Sequence, residues 1–249
     1  MPRTHATLPR LFVEAPLAEG ESVALGKDQS LYLAAVLRKV AGDEVVLFNG
    51  RDGAWLGRID SAAKKSVYLD LVEQVAPQPP RGDLWYGFAP LKSARLDYVV
   101  QKATEMGVAT LQPVITRFTQ VSRIPLDRVR VNVIEAAEQC ELLNVPEVRA
   151  EIALERLIAE WGAAQGERLL VVADEAAPSG SPVGALAALG GRPLGLLVGP
   201  EGGFSPEERQ VLLGQGFVVP VSLGPRILRA DTASVAALAV IQAVIGDWR

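Results

Sequence analysis

The chain has 249 residues, with 25 basic and 29 acidic side chains and a formal net charge of −4. Apolar residues make up 49% and charged residues 22%, which excludes disordered, collagen-like and disulfide-scaffold classes. The single cysteine, Cys140, cannot form a bridge within the chain and indicates a reducing compartment. With only one histidine, His5, beside it, zinc sites built from His and Cys are excluded, and we expect no metal.

Membrane and secretory segments are not expected. The longest nearly uncharged stretch near the end, residues 233–246, is shorter than the roughly 20 apolar residues that span a bilayer. The first residues lack an apolar core of signal-peptide length. We therefore expect a cytoplasmic protein.

Charge is unevenly distributed. Residues 1–75 carry nine basic and ten acidic side chains, residues 76–130 carry eight and four, and residues 131–249 carry eight and fifteen. An acidic chain argues against indiscriminate nucleic-acid binding, which needs a broad basic surface, but a local basic patch is compatible with it. Four arginines in the middle region fit either a solvated face or a phosphate-contacting surface; they are Arg117, Arg123, Arg128 and Arg130.

The first 76 residues predict a small β-barrel. Four short segments are rich in β-formers, namely residues 11–13, 44–48, 54–59 and 66–72, and one helical piece covers 30–39. Asn49-Gly50 and Asp52-Gly53 are turn signals because these residue types tolerate a positive φ. Short strands joined by tight turns are typical of small barrels.

A proline-rich stretch, residues 77–82, separates this region from a different pattern. Pro77, Pro79 and Pro80 cannot continue a strand or helix, so the stretch predicts a stiff linker and a domain boundary. Strands and helices then alternate, which indicates an α/β domain with a parallel sheet over residues 77–249. The predicted strands are 84–88, 110–115, 168–173, 194–198 and 217–221, and the predicted helices include 93–106, capped by Ser93, and 125–140.

Two loops after predicted strands carry the candidate chemistry. The first is Gly199-Pro200-Glu201-Gly202-Gly203-Phe204, followed by Ser205 and Glu208 in the spacing of a helix capping box. Ligands of open α/β sheets bind outside such strand ends, and glycines let backbone amides approach a ligand, although a plain tight turn fits the residues as well. Neither a P-loop nor a dinucleotide-binding glycine motif is present in the sequence.

The second loop, residues 222–233, places Arg226 and Arg229 on either side of Ile227-Leu228. Asp231 or Thr232 is predicted to cap an apolar helix that starts near residue 233. Two arginines flanking an apolar pair are unusual in a purely structural turn, so we favour a functional loop.

These loops and four further segments resemble the RsmE family, SPOUT-class methyltransferases that act on a uridine of bacterial 16S ribosomal RNA (rRNA). Order and spacing make the resemblance specific, and it extends over nearly the whole chain. The segments are residues 197–205, 223–229, 9–12, 36–38, 101–108 and 136–140. Three segments depart from the family pattern: Glu141-Leu142-Leu143-Asn144 replaces a glycine and arginines, Arg117-Phe118-Thr119 replaces Glu-Arg-Ser, and Ala230-Asp231-Thr232 replaces Thr-Glu-Thr.

The resemblance implies a PUA-like β-barrel at residues 1–76 and a trefoil-knotted, mainly parallel α/β SPOUT domain at 77–249. It further implies a homodimer, S-adenosylmethionine (SAM) as cofactor, and methyl transfer to N3 of a uridine in 16S rRNA, which we expect within the assembled 30S subunit. Because SAM has no phosphates, the missing P-loop is consistent with it.

Site residues follow from the same resemblance. Cofactor binding is expected at Ala173, Asp174, Gly199, Pro200, Glu201, Gly202, Leu223, Gly224, Arg226, Ile227, Leu228 and Thr232. Catalytic roles are expected for Arg229, Arg226 and Asp231, the arginines stabilising the uridine anion. Glu201 or Asp231 could accept the N3 proton, or could only bind backbone amides at helix starts. RNA contacts are expected at Arg10, Arg38, Lys92, Arg95 and Lys102.

Three alternatives stay open at this point. A non-catalytic RNA-binding assembly factor would explain the altered segment 141–144. A related SPOUT enzyme would modify another RNA nucleotide. A small-molecule α/β enzyme with an appended barrel would need neither Arg10 nor Arg38 nor a dimer.

Overall fold

A computed structural model describes residues 5, 7–63, 66–121, 123–178 and 180–248. The chain divides into two compact units. The first comprises Met1–Arg81 together with a returning segment, Ala137–Val145, and the second comprises Gly82–Ala136 and Pro146–Arg249.

The first unit is built on a five-stranded sheet with the order β1-β3-β4-β5-β2. Strand β1 pairs parallel with β3, and the other pairs are antiparallel. The elements are β1 (Arg10–Phe12), β2 (Ser22–Ala24), α1 (Lys27–Leu31), β3 (Glu44–Phe48), β4 (Ala54–Ala63) and β5 (Ser66–Ala76), with a π-helical turn at Tyr32–Val36.

Alternation of apolar and polar residues fixes the inner face of this sheet. In β5, Val67, Leu69 and Leu71 are buried, whereas Tyr68 and Asp70 between them are exposed, as expected for a period of two. The four predicted strands are therefore confirmed, with β4 and β5 longer than predicted. Strand β2 was not predicted, because three residues with one buried side chain are too few to show an alternating pattern.

The predicted helix over 30–39 differs from the structure. Helix α1 starts earlier, at Lys27, and the next turn is π-helical, because the amide of Leu37 donates to the carbonyl of Tyr32 five residues back. The chain then leaves helical geometry at Arg38, whose φ is +54°.

The returning segment completes the first unit. Ala137 and Leu143 pack in one apolar cluster with Val46 and Phe48 of β3. The Glu138 carboxylate accepts a hydrogen bond from the Phe12 amide at 2.8 Å. Sequence periodicity could not place this segment, because its partners lie about a hundred residues earlier in the chain.

The second unit contains a sheet with the order β12-β10-β11-β6-β7-β8, and β9 also pairs with β7. Every pair in it is parallel, so the predicted parallel sheet is confirmed. The strands are β6 (Trp85–Phe88), β7 (Thr110–Ile115), β8 (Glu147–Val148), β9 (Ile152–Ala153), β10 (Leu169–Ala173), β11 (Leu194–Val198) and β12 (Val218–Val221). The helices are α2 (Ser93–Glu105), α3 (Leu126–Gln139), α4 (Leu154–Gln165), α5 (Pro182–Ala187), α6 (Pro206–Leu213) and α7 (Ala230–Ile245). Residues 137–139 of α3 already belong to the returning segment of the first unit.

Several helices of the second unit differ from the sequence-based prediction. Helix α4 was missed; it begins behind Ala153, which offers no side-chain cap. Ser93 is the first residue of α2, with φ +31°, rather than its cap. Helix α7 starts at Ala230 behind Arg229, so the predicted capping by Asp231 or Thr232 is wrong; the Asp231 carboxylate instead accepts from the amide of its neighbour.

One apolar cluster of the second unit lies between its sheet and helices α4 and α6. Trp85 of β6 and Trp161 of α4 pack edge to face with ring centroids 5.1 Å apart, against Leu170 and Leu197. Among the residues that the structure describes, no helix has the length and apolar composition to cross a membrane.

Candidate active site

Three neighbouring strands, β10, β11 and β12, end at the same edge of the second sheet. They run parallel, with β10 in the middle, so the loops that follow them meet outside their carboxyl ends. A cavity of about 200 Å³ lies between these loops. Its lining residues are Ala173, Glu175, Val198, Gly199, Pro200, Glu201, Gly203, Phe204, Ile227, Leu228, Arg229, Ala230 and Ala233.

The loop after β11 is shaped by its glycines. The Gly203 amide donates to the Pro200 carbonyl at 2.9 Å and closes a turn in which Gly203 has φ +68°, a conformation that favours glycine. A Cβ on Gly199 would lie 3.1 Å from the Phe204 ring, so a side chain there would force the ring to move.

The predicted capping box is confirmed and anchors this loop. The Ser205 hydroxyl accepts from the Glu208 amide at 3.2 Å, and the Glu208 carboxylate accepts from the Ser205 amide at 2.9 Å. The second carboxylate oxygen of Glu208 accepts from the Arg117 amide at 2.7 Å. Glu208 is only 8% exposed, so this one buried side chain joins the loops that follow β7 and β11.

The loop after β12 contributes an exposed apolar side chain. Ile227 is 88% exposed although it lines the cavity, together with Leu228 and Arg229. Such exposure leaves apolar area available for burial by a ligand. Arg226 lies on the same loop but does not line the cavity.

Asp174, which follows β10, is not among the residues that line the cavity. Its buried carboxylate accepts from the Arg209 guanidinium at 2.8 Å and from the Ala176 amide at 3.0 Å. The hydrogen bond from Arg209 to this carboxylate raises the pKa of Arg209. The neighbouring Glu175, which the sequence analysis did not single out, lines the cavity instead.

Arg95 lies between two carboxylates, of which Glu201 lines the cavity and Asp231 does not. Its guanidinium Nη1 is 2.9 Å from Glu201 Oε1, and its Nε is 3.9 Å from Asp231 Oδ2. Arg95 was predicted to contact RNA, and in the structure it contacts Glu201 and Asp231, two residues that were predicted to belong to the site.

A buried hydroxyl relay holds the start of α7. The Tyr86 hydroxyl of β6 donates to Ser234 Oγ at 2.6 Å, and Ser234 donates to the Ala230 carbonyl at 2.7 Å. Burial raises the pKa of Tyr86, so the phenol stays protonated as a donor. Ala230 lines the cavity, so the relay fixes one of its walls.

The structure brings together half of the predicted cofactor residues. Those that line the cavity are Ala173, Gly199, Pro200, Glu201, Ile227 and Leu228, joined by the predicted catalytic residue Arg229. Those outside its lining are Asp174, Gly202, Leu223, Gly224, Arg226 and Thr232. The lining residues that were missed are Glu175, Val198, Gly203, Phe204, Ala230 and Ala233, all within two positions of a predicted residue.

Of the remaining residues predicted to contact RNA, two belong to the second unit and two to the first. Lys92 is exposed at the start of α2, and Lys102 is held by the Glu105 carboxylate at 2.7 Å. In the first unit, Arg38 is exposed, and the buried Nε of Arg10 has no hydrogen-bond acceptor in the described part of the chain. Burial lowers the pKa of Arg10. No cluster of His, Cys, Asp and Glu suited to a metal occurs among the described residues.

Family models match both parts of the chain. A model described as an RNA methyltransferase domain matches residues 77–242, and one described as an RNA methyltransferase PUA domain matches residues 25–72. A ribosomal RNA small subunit methyltransferase E from Rickettsia conorii is 30% identical over 235 residues, covering 94% of each chain.

Two solved structures share the whole architecture. A methyltransferase from Legionella pneumophila in complex with SAM has a TM-score of 0.82 at 30% identity, covering 95% of this chain and 97% of its own. A ribosomal RNA small subunit methyltransferase E from Neisseria gonorrhoeae, bound to SAM, has a TM-score of 0.81 at 27% identity, covering 97% and 100%.

Fold and matches together define a class: an RNA methyltransferase with a SPOUT-type α/β domain and an N-terminal PUA-like domain. Within that class, this chain belongs to the ribosomal RNA small subunit methyltransferase E family. The predicted family resemblance is thereby confirmed, and so is the fold class apart from the trefoil knot.

Proposed function

We propose that this protein is a SAM-dependent methyltransferase that methylates N3 of a specific uridine in 16S rRNA. One observation carries the proposal: three loops at the carboxyl edge of a parallel sheet enclose a cavity that combines apolar, carboxylate and guanidinium side chains. The domain division at 76/77 and the trefoil knot stay predictions.

The lining residues fit SAM. Val198, Ile227 and Leu228 provide apolar surface for an adenine ring, and the carboxylates of Glu175 and Glu201 can accept hydrogen bonds from hydroxyl or ammonium groups. No phosphate-binding loop is needed, because SAM carries no phosphate. When bound, SAM supplies an electrophilic methyl group on a sulfonium.

Arg229 is the first candidate for stabilising the uridine anion. The N3–H of uracil is weakly acidic, so the nucleophile is the anion, with charge spread onto O2 and O4. A guanidinium beside the cavity stabilises that charge as an oxyanion hole does, and Arg229 lines the cavity. Arg226 is the second candidate, from the exposed part of the same loop.

Glu201 and Asp231 are the two candidates for accepting the N3 proton. Glu201 lines the cavity, whereas Asp231 lies outside its lining and accepts from the Thr232 amide at 2.8 Å. Arg95 contacts both. We therefore place Glu201 ahead of Asp231 as proton acceptor and give Asp231 a positioning role through Arg95.

The substrate is proposed to be 16S rRNA within the 30S subunit, with a homodimer as the active form and the cytoplasm as its location. Because the chain is acidic, RNA binding should be local and depend on shape, which an assembled particle provides. The target base must leave its stack before N3 can be reached.

A labelling experiment tests the function. The protein is incubated with methyl-labelled SAM and 30S subunits from a strain lacking this activity, and the nucleosides are then analysed by mass. Label in 3-methyluridine supports the proposal. Label in another nucleoside would show that the enzyme methylates a different nucleotide. SAM binding without label in any nucleoside favours the assembly-factor alternative. Equal rates on naked 16S rRNA and 30S subunits would contradict the dependence on the particle.

A further inference from the structure

A rigid turn follows β7 beside the candidate site. The Thr119 amide donates to the Thr116 carbonyl at 3.1 Å, and the Thr116 amide donates to Thr119 Oγ1 at 2.9 Å. The two threonine hydroxyls also lie 3.0 Å apart. Thr116 is buried, so the turn presents Arg117 and Phe118 at an exposed tip on a fixed base.

The tip is tied to the loop that lines the cavity. The Arg117 amide donates to the buried Glu208 carboxylate at 2.7 Å, and the same carboxylate holds the Ser205 amide. The turn cannot swing away without leaving this buried carboxylate short of a donor, which costs free energy.

Phe118 packs on one side against Gly202. A Cβ on Gly202 would lie 3.3 Å from Phe118 Cβ and 3.5 Å from its ring. The neighbours of Gly202, Glu201 and Gly203, both line the cavity, so Phe118 stands next to it. Even so, 42% of Phe118 is exposed. Phe118 is therefore held beside the cavity, and part of its surface remains accessible to a ligand.

We propose that Phe118 is a stacking platform for an unstacked nucleobase of the RNA substrate, with the cationic Arg117 beside it. The inference rests on the proposed function, because it takes RNA as the ligand. Proteins that read unpaired RNA stack its bases on aromatic side chains, and a preformed turn supplies such a face without ordering a loop on binding. An adjacent arginine adds attraction to the RNA backbone.

Substitutions at Phe118 separate stacking from loop packing. Phe118→Leu keeps apolar packing on Gly202 but removes the aromatic face, whereas Phe118→Trp keeps the face. We expect Phe118→Leu to raise KM for the 30S subunit roughly tenfold, with an unchanged Kd for SAM and an unchanged Tm. Phe118→Trp should stay near wild type. Trp248→Leu, which removes an exposed aromatic side chain beyond the far end of α7, is the matched control and should change nothing.

Photocrosslinking gives a readout that does not require methyl transfer. Small subunits are reconstituted with 16S rRNA containing 5-iodouridine, irradiated with the protein, and digested with trypsin for mass analysis. A crosslink to Phe118 supports the proposal, even if the wild type transfers no methyl group and the proposed function fails. Crosslinks only elsewhere, or Phe118→Leu indistinguishable from Phe118→Trp in KM while the wild type methylates, would overturn the stacking role and leave the proposed function standing.

Discussion

Arg95 on α2 is paired with Glu201 on the loop after β11, with 2.9 Å between Nη1 and Oε1. The same guanidinium lies 3.9 Å from Asp231 in the first turn of α7. One side chain thus joins three elements around the candidate cavity. Both partners of the closer pair are about two-fifths exposed, so the contact has more bearing on geometry than on stability.

Arg95→Gln should therefore reduce the rate of methyl transfer strongly and the free energy of unfolding only slightly. We expect kcat to fall about tenfold to a hundredfold, because a small displacement of site residues is costly. The loss of unfolding free energy should stay below about 1 kcal/mol, as for other exposed ion pairs. Steady-state kinetics at saturating SAM and urea unfolding measure the two effects. Arg95→Lys should recover part of kcat, and a stability loss that matched the kinetic loss would contradict the positioning role.

Arg229 should be more important than Arg226, because only Arg229 lines the cavity. Arg229→Gln is expected to reduce kcat by about 10²–10³, the effect of removing one oxyanion donor. Arg226→Gln should cost less, and Arg192→Gln, at a cavity on the opposite edge of the sheet, serves as the control. Single-turnover rates on 30S subunits decide the order. If Arg226→Gln were the more damaging change, the assignment of roles would have to be reversed.

Glu208→Ala should destabilise the second unit. The substitution leaves the Ser205 and Arg117 amides without their acceptor at a buried position, and the expected cost is about 2 kcal/mol. SAM affinity should fall with it, since the cavity loop loses its anchor. Gln210→Ala, an exposed position on the same helix, is the comparison for helix propensity. Equal urea midpoints for the two variants would disprove the anchoring role.

Asp52 makes the stability of the first unit depend on pH. Its carboxylate accepts from Asn49 Nδ2 at 2.6 Å and from the Leu17 amide at 3.0 Å, and these hydrogen bonds lower the pKa of Asp52. A lowered folded-state pKa stabilises the fold above the unfolded-state pKa of about 3.9. That stabilisation is lost as the pH falls through the lower folded-state value.

The comparison of Asp52→Asn with wild type tests this sign. The difference in urea midpoint should be largest near neutral pH and should shrink below a pH of about 3.9. Asp60→Asn, which changes an exposed carboxylate on β4, is the control for the loss of one acidic side chain. A difference for Asp52→Asn that grew towards acid pH would refute the assignment.

Local signals in the sequence predicted the elements that frame the site. The parallel strands were visible as continuous apolar runs, and the capping box of Ser205 and Glu208 was visible because its two members lie three residues apart. The glycine-rich loop was identified as a candidate binding loop because it follows directly after such a strand. Each of these features depends on neighbours within a few positions of the chain.

The tertiary structure decided which side chains meet at the site. Arg95 and Glu201 are 106 positions apart, and Arg117 and Glu208 are 91 apart, so only the strand order brings them together. After β10, the Asp174 carboxylate is paired with Arg209, and its neighbour Glu175 lines the cavity. The sequence by itself determined the main strands of the sheet and the capped start of α6, because propensity and capping act locally. The tertiary structure decided which residues meet at the site, because the contacts of each side chain depend on partners from distant segments of the chain.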